Sequence, residues 1–400
     1  MSPTKLIFTI WYCLGFAAAL VSLPGTIELF CLTVAAILPR RSKQLDAKTR
    51  FERLAVVVPA HNEEANVGDC IASLRHADHP DFDVEIVVVA DNCDDHTASI
   101  ASENGARVLS RHDPNQRGKG YALDFAFRHL LAEGVGAFLV VDADTSVASN
   151  FFQEAGGMLQ AGADAVQCRY LVKNAAESIR TRLMNVAFLA FNVTRPRGRD
   201  RLGLSCGIYG NGFGMRRETL DQVPYLAASV VEDLEYHLSL VRAGKRVQFA
   251  DRAIVRGVMP SAGKGVETQR SRWEGGRLRI LRERTPGLAL DVLSGRLRAL
   301  EPLFDLLLLP LAFHVTLLVL AASTPYWIVR ATGLVGLAMV ATHLIVAIIV
   351  GGGSWRDFVA LLAAPFYVLW KLLLIPSLVR SSKSNSAWVR TERKADQKSR

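Results

Sequence analysis

The stretch LVVDADTSV (residues 139–147) ends an aliphatic run in two carboxylates one residue apart, Asp142 and Asp144. Side chains two apart on a strand share a face, so the pair would aim two negative charges at nearly one spot. Such a pair suits a hard divalent cation, Mg or Mn, that prefers carboxylate oxygen and leaves room for substrate phosphates. A polar strand end followed by a helix cap uses the same residue types. Asp91, in VVVADNCDDHT, ends a second apolar run and suits either a turn or a contact with a nucleoside base or ribose. Lys119 stands between Gly118 and Gly120 at a helix start, where an ammonium and backbone amides together hold phosphate. A solvated surface lysine is the plainer reading.

Three later segments carry further candidates. SVVEDLEYHLSLVRAGKRV puts Glu232 and Asp233 at the start of an amphipathic helix, where the dipole favours carboxylates and where one of them could act as a general base. GIYGNGFGMRRETL (207–220) is glycine-rich around Gly210, Asn211 and Gly212. Its spacing is not a dinucleotide fingerprint, and no aliphatic strand precedes it. It forms either a bend or a close approach to another molecule. TQRSRWEGGRLRILRER sets Gln269, Arg272 and Trp273 at i, i+3 and i+4, hence on one helix face. An amide, a guanidinium and an indole together can hold a diphosphate and stack on a sugar ring. Arg277, Arg279 and Arg282 lie amid Leu278, Ile280 and Leu281 on the same helix, as on a membrane surface.

The elements that must position these groups follow from hydrophobic patterning. LAVVVPA (54–60), VEIVVVAD (84–91) and AFLVVDAD (137–144) are near-continuous apolar runs, which predict strands of a parallel α/β sheet covered on both faces. Crossover helices are expected over ANVGDCIASLRHA and HTASIASENG, and a third helix begins at the Gly-Lys-Gly of residues 118–120. Ligands of doubly wound sheets bind outside the carboxyl ends of the strands, so three polar strand ends outline one crevice.

The chain of 400 residues is 50% hydrophobic with a formal net charge of +9. Leu6 to Pro39 is apolar apart from Glu28, and Leu303 to Leu320 and Trp327 to Val350 are runs of about membrane-crossing length. Phe358 to Val379 is broken by Pro365, Lys371 and Pro376 and reads as an interfacial or re-entrant helix. The sequence AAILPRRSK offers no small-residue cleavage site, so the first run is expected to stay as an anchor, with Pro24-Gly25 as a kink or break. Five regions result: an anchor (1–39), a basic linker (40–51), an α/β domain (52–285), membrane and interfacial helices (286–379) and a basic tail (380–400). Arg40, Arg41, Lys43 and the tail place linker, domain and tail in the cytoplasm by the positive-inside tendency. An anchor crossing once then requires an even number of later spans, which favours two plus the interfacial segment. Basic residues beside apolar segments point to anionic membrane lipids rather than nucleic acid. Six cysteines without a CxxC pair suit a reducing compartment and give no case for zinc.

The order of these signals resembles the membrane-bound family 2 glycosyltransferases, the group containing cellulose, chitin and hyaluronan synthases. It consists of a strand-end Asp, Asp-x-Asp, Glu-Asp, then Gln-x-x-Arg-Trp and membrane spans. The resemblance runs from about Val56 to Trp273, and QRSRW is its most specific part. It implies a GT-A fold, that is, a Rossmann-like nucleotide-sugar domain, here flanked by transmembrane helices. It also implies an inverting transfer from a UDP-sugar to a glycan acceptor in exopolysaccharide or cell-surface polysaccharide synthesis, with Mg or Mn as cofactor. Asp91 and the loop from Ala60 to Glu63 would contact the uridine. Asp142 would lie at the nucleotide and Asp144 at the metal, with Lys119 facing the donor. Asp233, beside Glu232, would be the catalytic base. Gln269 and Arg272 would hold the diphosphate, and Trp273, Asn211 and Gly212 would shape the acceptor site. Gln167 is a looser match. Three spans are few for a monomeric pore, so partner subunits are one expectation. Transfer of one sugar to a membrane lipid is the other, because ceramide glucosyltransferases share a related end motif. An inactive scaffold would be expected to lack Asp144, Asp233 or Arg272, and all three are present. The compact plan suggests a bacterial inner membrane.

Overall fold

The computed structural model describes residues 2–39, 50–78, 81–226, 231–260, 264–373 and 375, with side chains of 264–272 outside the description. The basic linker cluster and the tail from 380 therefore lie outside the described residues.

A mixed eight-stranded sheet carries the central region, in the order β3-β2-β1-β4-β7-β6-β8-β5. Its strands are β1 (Arg53–Ala60), β2 (Asp83–Asp91), β3 (Arg107–Arg111), β4 (Ala137–Val140), β5 (Thr145–Val147), β6 (Ala165–Val172), β7 (Phe213–Arg216) and β8 (Val247–Gly257). The three apolar runs are strands as expected, and β3-β2-β1-β4 are mutually parallel. Alternate residues of β1 serve opposite faces. Val56 and Val58 pack with Ile71 and Leu74, whereas Ala55 and Val57 pack with Phe127 and Leu130. That two-sided burial is what the unbroken apolar run encodes.

The expectation of a wholly parallel sheet fails beyond β4. Strand β7 runs antiparallel to both β4 and β6. Phe213, the first residue of β7, pairs with Val140, the last of β4. The glycine-rich segment thus delivers the chain to the carboxyl end of β4, and it can only run back down. Apolar continuity reports burial on both faces and is blind to strand direction.

Helices α1 (Pro3–Ile37), α2 (Val67–Arg75), α3 (Thr97–Glu103) and α4 (Lys119–Ala132) are in place. Pro24 does not split α1, which is one helix of 35 residues. It and Trp327–Gly351 are long and apolar enough to cross a membrane. The apolar run from Leu303 is not a straight span. Leu297–Leu307 and Leu311–Ala322 meet at a bend of 78°, and counting the pair as one gives up to three spans. Pro310 lies at the break, lacks an N–H and disfavours helical geometry in Leu309.

The membrane-type helices touch the sheet region directly. At Gly198, in the Arg195–Arg201 helix, a Cβ would come 2.4 Å from the Leu32 carbonyl oxygen of α1. Glu28, the charge inside α1, is buried against Arg199 Nη2 at 2.6 Å and Arg195 Nη2 at 3.3 Å.

Candidate active site

The crevice forms where β1, β2 and β4 end. Asn62 and Asn92, just past β1 and β2, have φ of 54° and 51°. Asparagine tolerates this left-handed region better than most residues, and the chain turns away there, leaving the strand ends open. Asp91 is buried at the end of β2, its Oδ1 accepting from Arg111 Nη1 at 2.6 Å and from Asn92 Nδ2 at 2.9 Å. His61 Nδ1 lies 2.7 Å from the Asp91 carbonyl oxygen. Thr97 Oγ1 accepts from the Glu63 backbone N–H at 2.8 Å, which joins the loop after β1 to α3.

The Asp-x-Asp pair is not on a strand. Pairing of β4 ends at Val140, and Asp142–Ala143–Asp144 form a turn closed by Thr145 N–H on the Asp142 carbonyl oxygen at 3.0 Å. Strand alternation therefore does not explain the proximity of the two carboxylates. The turn does, and both raise the pKa of the Cys70 thiol, after burial as the main cause. Asn211 holds the turn from below. Its Oδ1 accepts from Asp142 N–H at 3.1 Å and its Nδ2 donates to Thr145 Oγ1 at 2.8 Å. Gln167, fully buried, fixes the glycine segment in turn: it accepts from Tyr209 N–H at 2.9 Å and donates to the Asn211 carbonyl at 2.8 Å.

Lys119, the first residue of α4, donates to Asp142 Oδ1 and to the Gly210 carbonyl oxygen. Burial alone would lower its pKa, but Asp142, Glu232 and Asp233 outweigh burial and raise it, so the ammonium stays charged. Asp233 lies in the first turn of the Glu232–Arg242 helix, with Leu234 N–H on its Oδ1 at 2.8 Å. Burial lifts the Asp233 pKa above the usual carboxylate range, against the opposing pull of that N–H and of Lys119. Gly210 has φ +77°, and a Cβ there would stand 3.3 Å from Asp233 Oδ2. The site thus gathers three carboxylates around one ammonium.

One cavity of about 1760 Å³ collects most of the sequence-derived candidates. Ala60, Glu63, Asp91, Lys119, Asp142, Asp144, Glu232, Asp233 and Trp273 line it. Asn211 and Gly212 do not, because the first supports the turn and the second packs under Val255. Gln269 and Arg272 lie on the Lys264–Leu293 helix, but their side chains are outside the described residues. Trp273 is partly exposed, and at Gly276 a Cβ would come 2.4 Å from Val231 Cγ1, so this helix passes directly over the start of the Asp233 helix. Among the described residues no group of three or more His, Cys, Asp or Glu side chains could hold a metal alone.

Sequence reasoning missed two features. One is Arg111, the partner of Asp91. The other is a buried ion cluster of Glu28, Arg195, Arg199, Glu301 and Asp305. A lone glutamate in an apolar helix was the available signal for the second, since such charges find partners.

The model of the family described as Glycosyltransferase like family 2 matches residues 52–276, more than half of the chain. The chain belongs to this family. Among curated family relatives, a probable glycosyltransferase YdaM of Bacillus subtilis is 28% identical over 56% of this chain and 55% of its own. A beta-monoglucosyldiacylglycerol synthase of Trichormus variabilis is 27% identical over 66% and 57%. An N-acetylglucosaminyltransferase of Rhizobium meliloti is 25% identical over 72% and 71%. The chain thus spans little more than half the length of the first two. The mannosyltransferase PcManGT of Pyrobaculum calidifontis, solved with GDP-Man and Mn2+, superposes with a TM-score of 0.53 at 17% identity, covering 85% of this chain and 98% of its own. That likeness concerns the fold, which is of the GT-A type.

Proposed function

We propose that this protein is a membrane-bound inverting glycosyltransferase that moves a sugar from a UDP-sugar to a hydroxyl of a glycan or lipid acceptor. The observation that carries this reading is the meeting of Asp233 and Lys119 with the strand-end carboxylates in one cavity. Asp91 and the Ala60 to Glu63 loop bind the nucleoside. Lys119, Gln269 and Arg272 bind the diphosphate, and Trp273 borders the acceptor. Asn211 acts on the acceptor side through the turn it supports, with Gly212 packed beside it against Val255. Glu232, beside the base, adds negative charge at Lys119.

In the transfer the acceptor oxygen bonds to the anomeric carbon and its proton passes to the Asp233 carboxylate. The bond from that carbon to the diphosphate oxygen breaks, and the electron pair leaves with UDP. The ammonium of Lys119 meets the negative charge that develops on the leaving group. The carboxylates fit a hard cation that completes its shell with substrate phosphates. Asp144 and Asp142 would hold Mg or Mn, which when bound supplies positive charge to the leaving diphosphate.

The proposed domain division is that of the five sequence regions, with residues 52–285 as the catalytic domain on the cytoplasmic side of a multi-pass protein in a bacterial inner membrane. Other polysaccharide-synthesis subunits are candidate partners. The test is UDP release by the purified protein across a panel of UDP-sugars with Mg, Mn or EDTA, beside Asp144→Ala. Release with one donor, dependent on metal and lost in the variant, is expected. Metal-independent release unchanged in Asp144→Ala would remove the metal assignment.

A further inference from the structure

The cavity that holds Asp233 does not end at the polar site. It continues between helices of the membrane-type region, where Val315, Val319, Leu337, Leu344, Val368 and Leu372 line it. Leu337 and Leu344 lie on Trp327–Gly351, which is long and apolar enough to cross a bilayer, Val315 and Val319 on the second limb of the bent pair, and Val368 and Leu372 on the Ala364–Leu373 helix that follows. A sugar chain there would lose water from its hydroxyls without replacement partners, at a cost of about 1–3 kcal/mol per unpaired group. A hydrocarbon chain gains by the same burial.

Charged side chains also line the cavity, and they are compensated. Arg195 Nη2 reaches Asp305 Oδ1 at 2.5 Å, and Arg277 Nη2 reaches Asp305 Oδ2 at 3.1 Å. Arg199 joins Glu28 at 2.6 Å and Glu301 at 3.2 Å. Lys371 pairs with Glu274. Each of these four cations already has a carboxylate. His237, also in the wall, is held neutral near pH 7, its pKa lowered to about 4 by burial and by Arg199. A phosphate group would have to break an existing buried pair, whereas an uncharged hydroxylated head would not.

We infer that the acceptor is an uncharged, hydroxyl-bearing membrane lipid, whose head reaches Asp233 and whose hydrocarbon chains occupy the apolar arm. This rests on the transferase reading and names the acceptor class of that same site.

The test uses the full chain in phosphatidylcholine nanodiscs with the radiolabelled UDP-sugar that calorimetry shows to bind. Dioleoylglycerol, a polyprenyl phosphate and a soluble oligosaccharide are offered separately. Dioleoylglycerol is expected to raise UDP release by about tenfold or more over phosphatidylcholine discs without added acceptor, the rate equivalent of about 1.4 kcal/mol, and to give a chloroform-extractable labelled product. Val315→Trp and Leu344→Trp, which fill the arm, are expected to raise KM for dioleoylglycerol with less effect on kcat. Label in water-soluble glycan, or on the polyprenyl phosphate alone, would overturn the inference and leave the transferase reading standing. UDP release that ignores every acceptor would also overturn it. Absence of donor binding would remove the transferase reading, and the inference with it.

Discussion

At the residue scale, the close pair Asp142 and Asp144 raised the question of what offsets their charge. Part of the answer is Lys119, which donates to Asp142 while sensing Glu232 and Asp233. Lys119→Met removes that ammonium and leaves the carboxylates to repel one another. Donor affinity is expected to fall by about tenfold to a hundredfold, in keeping with the loss of a charge-assisted contact of roughly 1.5–3 kcal/mol, and calorimetry would measure it. An unchanged affinity would place Lys119 in a purely structural role. Asp233 bears on pH. A base works only when deprotonated, and burial raises this carboxyl above its ordinary value. Activity should therefore fall as pH drops through that raised pKa, so the acid limb of kcat/KM is expected above the ordinary Asp value of about 3.9. A limb at or below that value would contradict the assignment. The residue types at this site were legible in the sequence. Their partners were not: Arg111 on Asp91 and Asn211 beneath the Asp-x-Asp turn arise from contacts 20 and 69 positions apart.

At the scale of elements, strands β1, β2 and β4 were readable because burial on both faces leaves an unbroken apolar run. The reversal of β7 was not, since direction depends on where the glycine segment leaves the chain. The bend at Pro310 was not read from the run Leu303 to Leu320, and the fate of Pro24 shows that a proline alone does not decide whether a helix breaks. The Arg195–Arg201 helix binds the sheet region to α1 through Arg199, which is fully buried among carboxylates. Arg199→Met would leave Glu28, Glu301 and Asp305 short of a partner. Such one-sided breaks cost about 3–5 kcal/mol, so a lower unfolding temperature is expected in nanodiscs. Replacing Glu28 by Gln in the same chain should recover part of the loss. If Arg199→Met unfolds at the wild-type temperature, the cluster does not join these elements.

The whole molecule joins a GT-A sheet, with its open strand ends, to helices fit for a bilayer. The long helix from Lys264 passes over the start of the Asp233 helix. Gln-x-x-Arg-Trp and the apolar runs announced both halves in the sequence, and membership of Glycosyltransferase like family 2, matched over residues 52–276, agrees with the first of them. The single cavity that runs from one half into the other could not be read there, because its walls come from segments as far apart as Leu29 and Leu372. Gly276→Leu should press that long helix off Val231 and disturb the site from outside it, lowering kcat more than donor affinity. Equal loss of both would point to general unfolding.

The central claim is that Asp233 removes the acceptor proton in a sugar transfer. It is tested most directly by comparing wild type with Asp233→Asn in nanodiscs, following UDP release and donor binding together. The account predicts that transfer falls by about a hundredfold or more while the donor still binds within a few-fold of wild type. Turnover retained at the wild-type rate in Asp233→Asn, with donor bound normally, would contradict it.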